Sequence, residues 1–253
     1  SLLISIPFMI IRYLMHDEIV SIDDLNRNSN VPLNILGIIP ENTEKMAVSQ
    51  LVVNKRPKSI ISESFRNIRT NLQFVSSGDG PKVLAVTSTI SGEGKTFVAI
   101  NTGGIYAYAD KKVVIIDLDM RKPKIHLGFG GENKKGMSTI LIGKDNVLDC
   151  IQHSEQKGLD YITAGPTPPN PSELIINGTI EGVVEKLKTM YDLVIIDNPP
   201  IGLVTDGIHT IKMADYPIFV CRSKYSKYPF IKNIERLKEN NIDNISVVLN
   251  GVN

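Results

Sequence analysis

"KVLAVTSTISGEGKTFVAI", residues 82–100, decides the fold. "KVLAVTS" reads as a short buried strand, the glycine-bearing stretch after it as a turn, and residues from about 94 to 109 as a helix. A glycine loop between a strand and a helix N-terminus lets backbone N–H groups and the helix dipole meet phosphate oxygens. Gly94, Lys95 and Thr96 close the pattern G-x-x-x-x-G-K-[ST], but Thr89 stands where its first glycine belongs. Lys95 is expected to reach the β- and γ-phosphates of a nucleotide, and the Thr96 hydroxyl to hold Mg²⁺. The nucleotide-contacting stretch is then Ser91, Gly92, Glu93, Gly94, Lys95, Thr96 and Phe97.

Outward from the loop, apolar runs alternate with helical segments. "KKVVIIDLD", "LDYITA", "YDLVIIDNPP", "YPIFVCR" and "NISVVLN" read as strands, with helices near 179–190, 206–213 and 229–240. Continuous apolar strands separated by helices imply an α/β doubly wound, mainly parallel sheet flanked by helices on both faces. Such sheets bind ligands beyond the carboxyl ends of their strands. Asp117 and Asp119 stand at one such end and Asp197 at another. Each alone could cap a helix or face solvent; together with the Lys95–Thr96 loop they imply a Mg²⁺·nucleotide site, with Asp197 in the Walker B position.

The composition fits a folded domain, with 42% hydrophobic and 22% charged residues. The net charge of +1 leaves no field that would recruit nucleic acid. Cys150 and Cys221 have no metal-ligand spacing and read as small buried hydrophobes. At the start, "SLLISIPFMIIRYLM" is apolar but shorter than the roughly 20 residues of a membrane span. It reads either as a juxtamembrane helix or as the cytoplasmic end of a transmembrane helix over 1–16, and the initial Ser suggests a piece of a longer protein. Residues 17–58 read as a juxtamembrane segment and linker, with a capped helix at Ser21 and an extended "PLNILGIIP". In "SIISESFRNIRTNLQFV", Ile61, Phe65, Ile68 and Leu72 form one helical stripe. Glu63, Arg66 and Arg69 fall on the opposite face.

Asp117, Asp119 and Arg121 form an Asp-x-Asp-x-Arg motif between the phosphate loop and Asp197. That order resembles the bacterial tyrosine kinases, P-loop kinases that regulate export of capsular and extracellular polysaccharide. Glu63, Arg66 and Arg69 match the family's E-x-x-R-x-x-R motif, and "IDDLNRNSNVPLNILGIIP", residues 22–40, resembles its juxtamembrane segment, so that the resemblance covers about residues 17–253. The resemblance implies a P-loop NTPase fold of the Min/Par type over a kinase domain at 59–253. It implies ATP and Mg²⁺ as cofactors, with ADP left after transfer. Lys95, Asp117, Asp119 and Arg121 become catalytic residues, with Asp117 favoured as the base. Thr96, Asp117, Asp119 and Asp197 become metal-site residues, and Asn250 an adenine contact. Through Glu63, Arg66 and Arg69 it implies a homo-oligomeric ring in which each subunit phosphorylates its neighbour's tyrosine-rich C-terminal tail. A cognate phosphotyrosine phosphatase and anchorage at the cytoplasmic face of the bacterial inner membrane belong to the same expectation. The chain stops at "LNGVN", where that tail should begin, and Tyr225 and Tyr228 read as loop residues. The alternative is a regulatory ATPase of the Min/Par class, which hydrolyses ATP without transfer. Its signature lysine would stand at position 90, where this chain has Ile90.

Overall fold

The computed structural model describes residues 17–42, 50–75, 80–177, 180–201 and 206–253; the apolar start, over 1–16, lies outside them. In chain order the elements are α1 (Ile22–Asn28), β1 (Asn34–Pro40), α2 (Val52–Lys55), α3 (Ile60–Val75), β2 (Lys82–Ser88), α4 (Lys95–Ala107) and β3 (Val113–Asp117). There follow α5 (Ile125–Phe129), α6 (Met137–Leu141), β4 (Gln152–His153), β5 (Leu159–Ile162), α7 (Pro171–Asn177) and α8 (Ile180–Lys188). The last are β6 (Leu193–Asp197), α9 (Asp206–Lys212), β7 (Tyr216–Arg222), α10 (Pro229–Glu239) and β8 (Ser246–Val252).

The strands form one eight-stranded sheet in the order β1-β8-β7-β2-β6-β3-β5-β4, parallel throughout except for the β4–β5 pair at one edge. Apolar runs favour this arrangement because both faces of the central strands are covered, and β3 and β6 are buried along their whole length. Strand alternation divides the core. Leu84 and Val86 of β2 face α3 and α4, whereas Val83 and Ala85 face α8. Phe219 and Cys221 of β7 pack beneath Phe230 and Ile234 of α10. Cys150 and Cys221 are free and buried, as their apolar surroundings implied.

The region before the phosphate loop is tied to the same sheet. "NILGIIP" becomes β1, which pairs with β8 from Asn34↔Ser246 to Pro40↔Val252. The Ser21 hydroxyl accepts from the Asp24 N–H while Asp24 accepts from the Ser21 N–H, the capping box that starts α1. Residues just before it lie along the turn after β7: Ile19 N–H donates to the Ser226 carbonyl and Lys224 N–H to the Ile19 carbonyl, both at 2.8 Å. Within the stretch read as a linker, Leu51, Val52 and Val53 are buried. The Asn101 side-chain oxygen, inside α4, accepts from the N–H groups of Val52 (2.7 Å) and Val53 (3.1 Å).

On α3 the apolar stripe is buried and Glu63 is exposed. Arg66 pairs with Glu63 at 2.6 Å and also donates to the Pro57 carbonyl. Arg69 turns toward the end of α4 and donates to the Ile105 carbonyl at 3.0 Å. Among the described residues, no helix is long and apolar enough to cross a membrane.

Candidate active site

The site is assembled by strand register. β2, β6 and β3 are neighbours, and their pairing sets Val86 opposite Asp197 and Asp197 opposite Asp117. Two apolar strands that each end in Asp therefore deliver their carboxylates to one level at the carboxyl edge of the sheet. The phosphate loop, leaving β2 at that edge, bends over them. Lys95 and Thr96 open α4 and are 7% and 3% exposed.

Lys95 Nζ lies 2.8 Å from Asp119 Oδ2 and 3.5 Å from Asp197 Oδ1. The Thr96 hydroxyl donates to Asp197 Oδ2 at 2.7 Å. Asp117 is fully buried and accepts three backbone hydrogen bonds. Its Oδ1 accepts from Asp119 N–H at 3.0 Å, and its Oδ2 from Lys124 and Ile125 N–H at 3.2 Å each. The first of these bonds folds the chain back after β3, which is what returns Asp119 to Lys95.

Three carboxylates around one ammonium make an electrostatically unbalanced cluster. Burial, followed by the charge of Asp197, pushes Asp117 up to about 8, against the opposing pull of Lys95. Burial also raises Asp197, while Lys95 and Thr96 oppose the shift. For Lys95, burial alone would favour the neutral amine; the charges of Asp197 and Asp119 outweigh it and hold the ammonium above its ordinary range. Among the described residues no acidic, histidine or cysteine cluster forms a ready metal cage. The Lys95 ammonium is the counter-ion instead, and the acidic, hydroxyl-bearing donor set suits a hard cation such as Mg²⁺ once nucleotide phosphates draw the lysine away.

The loop itself has room for backbone close to phosphate. Gly92 and Gly94 have φ of +98° and +101°, in the left-handed region that favours glycine. A Cβ on Gly94 would fall 2.2 Å from Asn250 Nδ2. The other anticipated residues take distinct positions. The Glu93 side chain turns away from the loop surface, accepting from Ile90 N–H at 2.8 Å and from the Ser226 hydroxyl, and burial raises its pKa. Phe97 packs edge-on against Phe65 at 5.8 Å between ring centroids. Asn250 donates to the Glu93 carbonyl at 3.0 Å. Arg121 stays outside the Lys95 cluster and donates to the Ser172 hydroxyl at the start of α7.

Arg222, Tyr225 and Ser226 were not anticipated, although all three touch the loop. The available signal was the position of Arg222 at the end of an apolar strand, the edge where ligands bind. A cavity of about 930 Å³ lined by Lys111, His153, Asp160 and Tyr191 lies at the opposite end of the sheet, where β3 and β5 begin.

A family model described as "AAA domain" matches residues 81–247. The putative tyrosine-protein kinase CapB of Staphylococcus aureus is 43% identical over 164 residues, 65% of this chain and 72% of that protein. The tyrosine-protein kinase YwqD of Bacillus subtilis (strain 168) is 36% identical over 202 residues, 79% of this chain and 85% of that protein. The kinase domain of Escherichia coli tyrosine kinase ETK is similar with a TM-score of 0.83 and 28% identity, over 91% of this chain and 93% of that one. The septum site-determining protein MinD of Pyrococcus horikoshii, at a TM-score of 0.54 and 19% identity over 66% of this chain and 68% of that one, shares the fold.

Proposed function

The chain belongs to the bacterial tyrosine kinase family, and from that premise we propose that it transfers the γ-phosphate of ATP to tyrosines in the C-terminal tail of a neighbouring subunit. The observation that carries this reading is the convergence of Asp117, Asp119 and Asp197 on Lys95 beneath a glycine loop. Phosphoryl transfer asks little covalent work of a protein: it needs charge neutralised on the phosphates and an acceptor held in line.

In this reading the backbone of Gly92–Thr96 binds the phosphates, and Lys95 exchanges its pairing with Asp119 for the β- and γ-phosphates. Thr96, Asp119 and Asp197, beside Asp117, would hold Mg²⁺, which when bound would supply the remaining neutralisation. The acceptor oxygen bonds to the γ-phosphorus, the bond to the β–γ bridging oxygen breaks, and ADP departs. Asp117 takes the phenolic proton. Only its ionised form can accept the proton, a form that the positive charge of Lys95 favours and a bound cation would favour further, and its three backbone bonds fix its orientation. Arg121, on the rim, orients the acceptor segment.

Transfer between subunits places the tail of one chain at the loop of the next, in a ring closed by the α3 face. Support comes from Glu63 and Arg66, which remain at the surface as a pair, beside exposed Ile60 and Phe74 on the same helix. The wider role proposed is control of capsular and extracellular polysaccharide export at the cytoplasmic face of the membrane, reset by a phosphotyrosine phosphatase. Phosphotyrosine should appear on the tail-bearing protein incubated with Mg²⁺·ATP and vanish in Lys95→Met; phosphate release without phosphotyrosine would reject transfer. Glu63→Ala, Arg66→Ala and Arg69→Ala together should give a monomer in light scattering, and an unchanged oligomer would reject the α3 interface.

A further inference from the structure

Three successive carbonyls of the phosphate loop each accept a hydrogen bond from a side chain outside it. Tyr225 Oη donates to the Ser91 carbonyl at 2.9 Å, Arg222 Nη1 to the Gly92 carbonyl at 3.1 Å, and Asn250 Nδ2 to the Glu93 carbonyl at 3.0 Å. Arg222 ends β7, Tyr225 follows in the turn after it and Asn250 lies near the end of β8, all on the side of β2 away from Asp197 and Asp117. Arg222 also lies over the Tyr225 ring, 5.4 Å from its centroid. Below them the Ser226 hydroxyl donates to the buried Glu93 carboxylate.

A phosphate nest works only when N–H groups converge on the anion and the carbonyls point elsewhere. A glycine at the head of such a loop helps the backbone reach that geometry; here that position is Thr89. We propose that Arg222, Tyr225 and Asn250 act as a carbonyl clamp, positioning residues that turn the Ser91–Glu93 peptides so that their N–H groups face the nucleotide's phosphates. This rests on the reading of the loop as an ATP site, and it gives Asn250 a role at the phosphate end of the nucleotide rather than at its base. The clamp requires nothing of Tyr225 as a phosphate acceptor.

The test is binding of Mg²⁺·ADP and of tripolyphosphate, which has no base, to the 253-residue chain and to Tyr225→Phe, Arg222→Met and Asn250→Ala. Tyr225→Phe keeps the ring and removes one donor, so affinity for both probes should fall about fivefold, the worth of one neutral hydrogen bond. Arg222→Met and Asn250→Ala should weaken both probes at least as much, with melting temperatures close to the parent's. ADP affinity within twofold of the parent in all three variants overturns the clamp. Loss confined to ADP in Asn250→Ala, with tripolyphosphate unaffected, reassigns that residue to the base and also overturns it. Weaker binding accompanied by a melting temperature well below the parent's in all three variants would make the contacts merely structural, against the proposal. A parent chain that binds neither probe would instead reject the ATP site on which the clamp rests.

Discussion

Replacing Lys95 by Met should do more than remove a phosphate contact. The methionine keeps a side chain of similar length but deletes the one ammonium within 3.5 Å of Asp119 and Asp197, whose side chains are 7% and 1% exposed. Removing one partner of a buried ion pair costs about 3–5 kcal/mol, because the remaining charge is left uncompensated. For a chain of this size 1 kcal/mol is roughly 2–4 °C of melting temperature, so the deficit at pH 8 should be on the order of 10 °C. The sign of the pH dependence follows from the carboxylates. With Lys95 present, Asp117 is already pushed up to about 8 and Asp197 is raised; without it both rise further. A carboxyl whose folded pKa exceeds its unfolded value costs nothing when protonated in both states. It costs progressively more as pH climbs from the ordinary carboxylate range to the folded value. The deficit at pH 5.5 should therefore be less than half of that at pH 8. Thermal unfolding followed by circular dichroism at both pH values measures it, with Lys95→Met/Asp119→Asn expected to recover part of the loss. Equal deficits at the two pH values, or a variant as stable as the parent at pH 8, would refute the picture of one lysine balancing three buried acids.

Three further outcomes are expected. Asp117→Asn should abolish phosphotransfer, as radiolabel incorporation would show; its amide nitrogen cannot accept the backbone N–H bonds that both Asp117 oxygens take, so the melting temperature should fall at pH 5.5 and fall less at pH 8, where ionisation of the native carboxyl costs the parent more. Gly94→Ala meets both a φ of +101° and the Asn250 amide, so Mg²⁺·ADP affinity by calorimetry should fall about tenfold or more, from backbone strain of about 1–2 kcal/mol plus the displaced side chain. Ser21→Ala removes the α1 capping box and should cost about 1 kcal/mol in denaturant unfolding, with Mg²⁺·ADP affinity unchanged.

What was legible in the sequence was local. The run Lys82–Ser88, the glycines after it and the helix that follows are adjacent in the chain, so strand, loop and helix could be read together. The Asp residues ending β3 and β6 could be read as strand-end carboxylates. Their alignment at one level depends on the register of strands about 80 residues apart, which no local pattern encodes. The extended character of "NILGIIP" was visible, but not its partner, because β8 lies more than 200 residues downstream. Helices α5 and α6 have five residues each, too few for a 3.6-residue period to show. Helical spacing set Arg69 beside Glu63 and Arg66; the end of α4 crosses that flank and takes Arg69 for its Ile105 carbonyl. Nothing local marked Arg222, Tyr225 and Ser226 as loop contacts, because their partners, two backbone carbonyls and the Glu93 carboxylate, lie 130 or more residues earlier.

The most direct test of the account is phosphotyrosine mapping by mass spectrometry on the tail-bearing protein incubated with Mg²⁺·ATP, beside its Lys95→Met variant. The account expects phosphate on tail tyrosines in the parent, none in the variant, and restoration of phosphate on the variant's tail when intact subunits are mixed in. ATP consumed by the parent with every tyrosine unmodified would contradict it.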